Sequence, residues 1–353
     1  MLEENLFHPN LTIAIPTFNR NEILNNTLLA LIPQLDETCK LMIIDNHSEV
    51  PIEKTINLIL KSKYRFQLEV HRNVENIGGN ANILRCVEFC KTPYLWVLGD
   101  DDIPEPDAIS KIKKIINDYP EFLFCHFQVK NDKTEMSKEI LKEDKVARGL
   151  NGFLEAIDHF GEMIFISVGL YKVPYLVKEL KYGMAYQGSN APLMVLMIMA
   201  LYRDQSLRVV FSGKALVKNG WNLTLVHLKW SVLSVAPGLP SLLRLPIGDD
   251  FIKHIELLLK KSHRDFITPK AVFHQALLMS IKKNNQSFNP RRIHSIIRKD
   301  YFGVGDLSIR IEASVYQLLL IFPRFSFFCF RIIHHLLKGT QTGEHMLSDL
   351  ERM

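Results

Sequence analysis

Residues 11–20 read LTIAIPTFNR, and residues 94–102 read YLWVLGDDD. In each stretch a short apolar run ends abruptly in polar residues, as expected for a buried β-strand that opens into a loop. Residues 41–44 (LMII) have the same character, and residues 66–70 (FQLEV) form a further short predicted strand. Segments with helical periodicity separate the four runs, the first of them at 21–32. This alternation predicts β-α-β crossovers and an α/β fold whose mostly parallel sheet is flanked by helices.

The alternation continues to about residue 220. Residues 192–202 (PLMVLMIMALY) form an apolar helical segment that begins at proline, a favoured residue in the first helical turn. This segment has about half the length that a bilayer requires, so it is predicted to be a core helix. The other predicted elements are helices at 52–60, 81–90 and 107–116, strands at 122–129, 163–171, 207–211 and 214–217, and a surface excursion at 130–148.

Charge divides the chain into two parts. Residues 1–228 carry 25 basic and 28 acidic side chains, a net charge of −3, whereas residues 229–353 carry 18 basic and 10 acidic, a net charge of +8. We therefore predict two domains with these bounds, the second being a helical, basic C-terminal region. A basic region suits nucleic acid or an anionic membrane, or serves nothing beyond solubility. The interleaved aromatic and basic pattern of nucleic-acid binders is absent from the sequence, so no nucleic-acid partner is expected.

Cysteine usage and the N-terminal sequence indicate the compartment. The five cysteines are odd in number and include no C-x-x-C pair, which disfavours a disulfide framework or a zinc cluster and favours a reducing environment. The first ten residues, MLEENLFHPN, lack the apolar segment of a secretory signal. We therefore expect a cytoplasmic location, with peripheral attachment to the inner face of the cell membrane as an open alternative.

Polar clusters follow four successive predicted strands. Ligands of open parallel sheets bind beyond the carboxyl ends of the strands, so the four clusters together predict one site. In chain order the clusters contain Pro16, Thr17, Asn19 and Arg20, then Asp45, then Asn76, Gly78 and Gly79, and finally Asp100, Asp101 and Asp102.

The aspartate triplet Asp100–Asp102 is the strongest chemical signal. Three adjacent carboxylates repel one another, and a cation is the natural compensation. Hard oxygen ligands with open positions suit Mg²⁺ or Mn²⁺, which usually share their coordination with substrate phosphates. The alternative is an acidic loop that interacts with the dipole of a helix beginning near Pro106. Asp107 fits that capping role better, so the triplet is predicted to bind metal.

Two further positions suit a nucleotide. Asp45 follows a buried strand, where its carboxylate can accept an N–H from the edge of a nucleobase; the alternative is a solvated turn residue. Asn76 and the glycine pair Gly78-Gly79 let the backbone approach a ligand just before a helix N-terminus, a favourable place for phosphate. The spacing differs from G-x-G-x-x-G, so a dinucleotide fingerprint is not indicated.

The succession IPTFNR (15–20), IIDNHS (43–48), NIGGN (76–80) and LGDDDIPEPDAI (98–109) resembles the family 2 glycosyltransferases of the Rossmann-like GT-A fold. The resemblance spans residues 10–220 and implies a nucleotide-sugar donor, a divalent metal and transfer with inversion at the anomeric carbon. It also implies that Asp45 reads a uracil or thymine ring. The other implied roles are a nucleotide pocket of Pro16, Thr17, Asn19, Arg20, Asn76 and Gly79, and a metal, ribose or diphosphate site of Asp100, Asp101 and Asp102.

Two departures from the family pattern concern the metal and the catalytic base. With Pro106-Asp107 aligned, the usual first aspartate of the D-x-D motif falls on Gly99, so metal binding passes to Asp101 and its neighbours. The family's acidic pair before a later helix supplies the base that deprotonates the acceptor, and this pair falls on Ser189 and Asn190. Neither residue is a carboxylate base. The base is unassigned, and the weaker candidates are Asp158, Glu162 and Glu179.

Residues 316–337 (YQLLLIFPRFSFFCFRIIHHLL) are strongly apolar but include a proline, two arginines and two histidines. A spanning helix would bury the arginines at a cost of ~2.5–3.5 kcal/mol each near its centre. A position in the membrane interface costs less, because the aromatic side chains insert while the arginines stay at headgroup level. The alternative is a helix pair that packs on the protein core.

The sequence as a whole predicts an inverting, metal-dependent glycosyltransferase. It would move a sugar from a UDP- or dTDP-sugar to a hydroxyl of a glycan or lipid-linked acceptor, as in bacterial surface polysaccharide assembly. Two alternatives are open. The missing acidic pair favours a non-catalytic nucleotide-sugar-binding subunit. A nucleotidyltransferase shares the α/β sheet and acidic metal site, although it would normally have a glycine-rich basic loop after the first strand.

Overall fold

The computed structural model describes residues 9–54, 56, 64–130, 143–218, 232–265, 267–281 and 289–336. The chain forms two compact units. One comprises Met1–Ile157 and Glu162–Trp221, and the other comprises Asp158–Gly161 and Asn222–Met353. The predicted domain boundary at residue 228 falls in the segment 219–231, outside the described residues.

The first unit is built on a nine-stranded sheet. Its strands are β1 (Leu11–Thr17), β2 (Cys39–Asp45), β3 (Gln67–Arg72), β4 (Tyr94–Val97), β5 (Ile103–Pro104), β6 (Phe122–Lys130), β7 (Lys145–Arg148), β8 (Gly169–Lys172) and β9 (Arg208–Lys218). The strand order is β3-β2-β1-β4-β8-β6-β9-β5, and β7 pairs with β9 outside that order. β1, β2 and β4 are almost wholly buried, as expected of apolar strands with helices on both faces of the sheet.

The first four strands form a continuous parallel block. β1 pairs in parallel with β2 and β4, and β2 pairs in parallel with β3. The register sets Thr17 opposite Asp45 and Asp45 opposite Arg72, so the carboxyl ends of three strands are level. Beyond β4 the sheet is mixed, because β8 runs antiparallel to both β4 and β6 while β6 and β9 are parallel. The predicted α/β fold is confirmed, with its longest parallel block in β1–β4.

Helices pack around this sheet. They are α1 (Asn21–Leu31), α2 (Gly79–Phe89), α3 (Ala108–Asp118), α4 (Gly149–Ala156), α5 (Gly161–Ile164), α6 (Val173–Leu176), α7 (Leu180–Ala185) and α8 (Pro192–Arg203). The prediction of a core helix at 192–202 is confirmed, since every residue from Pro192 to Leu201 is buried. The helix predicted at 52–60 lies largely outside the described residues.

The prediction of one strand at 163–171 is wrong for most of its length. Only Gly169–Lys172 is extended, and it follows the 3₁₀ turn Ile166–Val168. Periodicity cannot distinguish a short buried turn from a strand in an apolar run. Here Ser167 Oγ accepts a hydrogen bond from the Gly99 amide over 2.8 Å, and its carbonyl accepts one from Trp96 Nε1 over 2.8 Å. Hydrogen bonds from Gly99 and Trp96, which are distant from Ser167 in the sequence, therefore fix this turn.

Two further predictions near the sheet edge are corrected. The strands predicted at 207–211 and 214–217 are one strand, β9, whose pairing with β6 contains register shifts. The excursion predicted at 130–148 includes strand β7, which pairs antiparallel with β9. Residues 131–142 of that excursion lie outside the described residues. A short, mostly exposed strand such as KVAR carries little apolar alternation, so the sequence pattern does not reveal it.

The second unit is helical in its described part, as predicted for the C-terminal region. Its helices are α9 (Val232–Val235), α10 (Asp249–Asp265), α11 (Pro269–Ile281), α12 (Pro290–Asp300), α13 (Leu307–Leu319) and α14 (Pro323–Leu336). Within the described ranges, no single helix has the length and apolarity needed to cross a membrane. One pair meets that test together, Leu307–Leu319 with Pro323–Cys329, and it is bent by 111°.

Candidate functional site

The polar clusters predicted after β1 and β4 are in direct contact. Thr17, at the end of β1, donates from Oγ1 to Oδ2 of Asp100 over 2.7 Å. Arg20, which precedes α1, donates from Nη1 to Oδ1 of Asp100 and to Oδ2 of Asp101, each over 2.9 Å. Thr27 of α1 donates to the Asp100 carbonyl over 2.8 Å. The loop after β4 is thus anchored to the loop after β1.

Asp45, at the end of β2, is fully buried and is engaged on both carboxylate oxygens. Its Oδ1 accepts the Ser48 amide over 2.9 Å, and its Oδ2 accepts Nη1 of Arg72. Arg72 also donates from Nη2 to the Ser48 carbonyl over 2.6 Å. The predicted nucleobase reader is therefore half of a buried ion pair, because the parallel register of β2 and β3 sets Arg72 beside it.

Asparagine side chains hold the loop that precedes α2. Asn46 donates from Nδ2 to Oδ1 of Asn76 over 2.8 Å, and its own Oδ1 accepts the Ile77 amide over 3.0 Å. Asn73 donates to Oδ1 of Asn46 over 2.9 Å and to Oδ1 of Asn82 over 2.8 Å. Side-chain amides both donate and accept, so they can link three loops into one network. Asn76 is therefore part of the same strand-end site as Asp45.

The glycine pair leaves open space at the start of α2. Gly78 has φ of 87°, a left-handed conformation that disfavours other residues, and a Cβ on either Gly78 or Gly79 would meet nothing within 4 Å. α2 begins at Gly79 and has no capping side chain, so its first amides are not satisfied by a side-chain cap. This arrangement fits an anion at the helix N-terminus.

The three aspartates differ sharply in environment. Asp100 and Asp102 are buried, whereas the side chain of Asp101 is 38% exposed. Oδ2 of Asp102 accepts the Ser167 hydroxyl over 2.5 Å, while its Oδ1 is buried and has no hydrogen-bond partner in the described part of the chain. Burial raises the pKa of Asp100 even though Arg20 and Thr17 favour its charged form. The triplet is thus one exposed carboxylate between two buried ones.

Burial, with Asp101 and Asp100 adding to it, raises the pKa of Asp102 to about 7, while the Ser167 hydrogen bond and Arg20 oppose the shift. The folded chain therefore keeps a proton that the unfolded chain releases near pH 4. Without metal, stability should fall as pH rises from about 4 to 7, by up to about 1.4 kcal/mol per pH unit. Urea unfolding between pH 5 and 8 measures this dependence.

The matched variant for that measurement is Asp102→Asn, which keeps the shape and cannot ionise. Its stability should show a flatter pH dependence than the unsubstituted chain over the same interval. If the free energy of unfolding changed equally with pH in the two proteins, Asp102 would not titrate between about pH 5 and 8.

Gly99 explains why the position aligned with the usual first aspartate has no side chain here. A Cβ on Gly99 would lie 2.6 Å from Oδ2 of Asp102 and 3.3 Å from both Oδ1 of Asp101 and Oγ of Ser167. The backbone at Gly99 therefore approaches the carboxylates closely, and its amide bonds to Ser167. The structure therefore leaves no room for a side chain at position 99.

The donor set partly fits a divalent cation. The unpartnered Oδ1 of Asp102 and the exposed carboxylate of Asp101 are hard oxygen ligands, the type that Mg²⁺ and Mn²⁺ prefer when they share coordination with phosphate. No cluster of three or more histidine, cysteine, aspartate or glutamate side chains in the described ranges is arranged to hold a metal. The protein would therefore supply two ligands and leave the rest to water and substrate.

The positions aligned with the catalytic base lie beside the same site. Ser189 is buried and its Oγ accepts the Ala191 amide over 3.2 Å, while Asn190 accepts Nδ2 of Asn80 on its Oδ1 over 2.8 Å. Asn190 has φ of 59°. Asn80 follows Gly79 in α2, so its hydrogen bond to Asn190 joins the segment before α8 to the start of α2. Both residues act as structural links here.

Of the three weaker base candidates, Glu179 is engaged in an ion pair away from this cluster. Glu179 is buried and pairs through Oε1 with Nε of Arg203 over 2.6 Å. Arg203 ends α8, whereas Asn190 precedes its first turn, and a 12-residue helix is about 18 Å long. Asp158 is exposed and belongs to the second unit. Glu162 lies in α5, and its side chain is outside the described part.

Left-handed backbone conformations occur after β1, after β2 and before α8. Within the described residues, the non-glycine residues with positive φ are Asn19 (54°), His47 (67°) and Asn190 (59°). Asn19 accepts the Glu49 amide on its Oδ1 over 2.8 Å, and its own amide donates to Ser48 Oγ over 2.8 Å. Left-handed residues persist where the surrounding contacts hold them, and they cluster at functional sites.

Sequence reasoning missed several residues that organise the site. Arg72 could have been found from the β2–β3 register, since it ends a strand beside Asp45. Ser167 has no local signal, because it lies inside an apolar run and contacts Gly99 and Asp102 only through the tertiary fold. Thr27 and Asn82 were also missed. Asn46, Ser48, Asn73 and Asn80 belong to the polar clusters that follow β2 and β3, but the sequence assigned them no role.

Comparison with known proteins supports the class that this strand-end site suggests. Residues 12–172 match the family model of glycosyl transferase family 2. The crystal structure of S. aureus TarS 1-349 is similar, with a TM-score of 0.54 and 12% identity over 90% of this chain and 87% of that chain. TarS 1-349 in complex with UDP-GlcNAc gives a TM-score of 0.55 and 13% identity over 90% and 88% of the two chains. A comparison with curated proteins finds no match.

The fold and the joined strand ends define an α/β domain of the GT-A type, with a mixed central sheet flanked by helices and a helical C-terminal region. Residues 12–172, a little under half of the chain, match glycosyl transferase family 2. The resemblance predicted from the four motifs is confirmed by this match and by the shared fold.

Proposed function

We propose that this protein transfers a sugar, with inversion, from a UDP- or dTDP-sugar to a hydroxyl of a glycan or lipid-linked acceptor. The observation that carries the proposal is the continuous polar site formed beyond β1–β4, in which Arg20 contacts Asp100 and Asn46 contacts Asn76. TarS, similar in fold, was crystallised with UDP and with UDP-GlcNAc, which makes UDP-sugars the first donors to test.

The Asp45–Arg72 pair supports a pyrimidine nucleotide. A uracil or thymine ring presents two carbonyl acceptors, to which the guanidinium of Arg72 can donate while the buried Asp45 carboxylate holds it in place. Arg72 is 29% exposed, so its remaining donors face accessible space while Asp45 anchors it. In this proposal Thr17, Asn19 and Arg20 line the pocket beside the base.

The diphosphate would lie between α2 and the aspartates. Gly78 and Gly79 leave room for it, and the N-terminus of α2 contributes positive potential. Asp101 and Asp102 would hold Mg²⁺ or Mn²⁺, which when bound stabilises the negative charge on the departing diphosphate. Arg20 keeps Asp101 oriented through Nη1, and Asp100 orients Arg20 and Thr17 for the ribose or diphosphate.

The acceptor hydroxyl needs a proton acceptor on the face opposite the leaving group. Asp158 and Glu162 are the remaining candidates, since Glu179 pairs with Arg203. Ser189 and Asn190 are not carboxylates, and both side chains are held in hydrogen bonds. This favours a second candidate function, a subunit that binds a nucleotide sugar without catalysing transfer. A lipid-linked acceptor would place the enzyme at the cytoplasmic face of the membrane, in surface polysaccharide assembly.

Thermal denaturation with a panel of nucleotide sugars, each with and without Mn²⁺, tests the donor. A UDP- or dTDP-sugar at 100 times its Kd should stabilise the protein by about 2.7 kcal/mol, whereas GDP- and ADP-sugars should not. Release of UDP from the same donor then separates the two functions, because a binding subunit would show the shift without turnover. Equal shifts with purine nucleotides would contradict the Asp45–Arg72 assignment.

A further inference from the structure

The second unit displays an apolar stripe on α13 that continues into α14. Leu307, Ile311, Val315 and Leu318 recur at helical spacing along α13 and are all exposed. The stripe continues through Phe322, Phe325 and Phe328, which are 67%, 65% and 61% exposed. Monomeric proteins rarely leave so many large apolar side chains exposed together unless they contact another surface.

A groove of about 530 Å³ runs along one side of this stripe. The groove is lined by both apolar and basic side chains. The apolar wall comes from α13, and the basic side chains come from α12 and α13. The residues that define this basic–apolar groove are Arg298, Lys299, Leu307, Arg310, Ile311 and Val315.

The basic side chains of the groove have no carboxylate partner among the residues that the structure describes. In the described part of the chain, Arg298, Lys299 and Arg310 form no salt bridge. Nε of Arg298 is buried and has no hydrogen-bond partner among those residues. Residues 290–329 contain six basic and three acidic side chains. The excess of basic over acidic side chains in this segment favours an anionic partner.

We propose that the basic–apolar groove and the phenylalanines beside it dock on an anionic lipid bilayer. Lipid phosphates would meet Arg298, Lys299 and Arg310, and the apolar stripe would enter the acyl boundary. This proposal names a partner beyond sugar transfer and does not depend on the proposed donor. The helices also pack on the second unit, because Ala313 and Leu320 are buried and Tyr316 stacks on Phe273. Phe322 and Phe325 are exposed and so are available to a partner.

A second copy of the chain fits the surface less well. A two-fold dimer buries the same patch of both subunits, so it would bring two unpaired basic groups close together. An anionic bilayer can contact the basic side chains through its lipid phosphates and the apolar stripe through its acyl chains, because the two layers are adjacent in a membrane.

Vesicle flotation of the full chain tests the proposal. The protein should float with vesicles of phosphatidylcholine containing about 30% phosphatidylglycerol and bind vesicles of phosphatidylcholine alone much more weakly. Arg298→Gln/Lys299→Gln/Arg310→Gln should weaken binding to the anionic vesicles by about 100-fold. Phe322→Ser/Phe325→Ser should weaken it by a similar factor, and because both side chains are exposed the fold should persist.

The matched control is Lys54→Gln/Lys91→Gln/Lys114→Gln, which removes the same charge from exposed positions of the first unit. This control should keep full vesicle binding. Wild-type protein that stays unbound, or binding that survives both surface variants, would overturn the proposal. So would a dimer in analytical ultracentrifugation that the phenylalanine variant dissociates while vesicles have no effect. Donor-induced thermal shifts on the same samples report separately on the sugar-nucleotide site.

Discussion

Asp101→Ala should lower metal-dependent release of UDP from the donor by about 10²–10³-fold, the usual cost of removing one charged group that stabilises the leaving group. Its side chain is the most accessible of the triplet and is not needed to satisfy a buried partner, since Arg20 keeps its bond to Asp100. The fold should therefore be unaffected. Initial rates over a Mn²⁺ series, together with thermal denaturation, measure both effects.

Asp107→Ala is the matched control for this substitution. Asp107 lies six residues further along, its side chain is 58% exposed, and its carboxylate pairs with Lys111 over 2.7 Å. It makes no side-chain cap to α3, although it occupies the N-cap position. The control removes the same charge from the neighbouring loop and should keep nearly full turnover. Undiminished UDP release by Asp101→Ala would remove Asp101 from the metal site.

The sequence was informative for the fold wherever burial is complete. β1, β2 and β4 bury both faces, so their side chains form continuous apolar runs that end at the polar loops. β7 and residues 163–168 were misread because an exposed edge strand has weak alternation, and a buried apolar run is equally compatible with a helical turn. In those places tertiary hydrogen bonds decide the backbone.

The site was predictable as a location but only partly as a set of contacts. Polar residues after parallel strands must meet at one edge, which is why Thr17, Arg20 and Asp100 are in contact. Which side chain neutralises which carboxylate depends on register and rotamer. The pairing of Asp45 with Arg72 and of Asp102 with Ser167 therefore required the structure.

Arg72→Ala should destabilise the protein by about 3 kcal/mol, the lower end of the cost of leaving one charge of a buried pair alone. Asp45 is fully buried, and its Oδ2 would lose the cation that compensates it. The cost stays at the lower end because Arg72 is 29% exposed, so water can reach part of the vacated space. Urea unfolding measures the change in the free energy of unfolding.

A double-mutant cycle shows whether the loss comes from the lone carboxylate. Arg72→Ala/Asp45→Asn leaves no buried charge, and the introduced asparagine can still accept the Ser48 amide, so the double variant should be more stable than Arg72→Ala alone. Arg85→Ala is the control: its pair with Glu88 is about one-third exposed on both sides, and exposed pairs contribute at most about 1 kcal/mol. Additive effects of the Asp45 and Arg72 substitutions would contradict the pairing. Strong coupling would mean that Asp45, the residue proposed to read the base, depends on its strand neighbour Arg72 to compensate its buried charge.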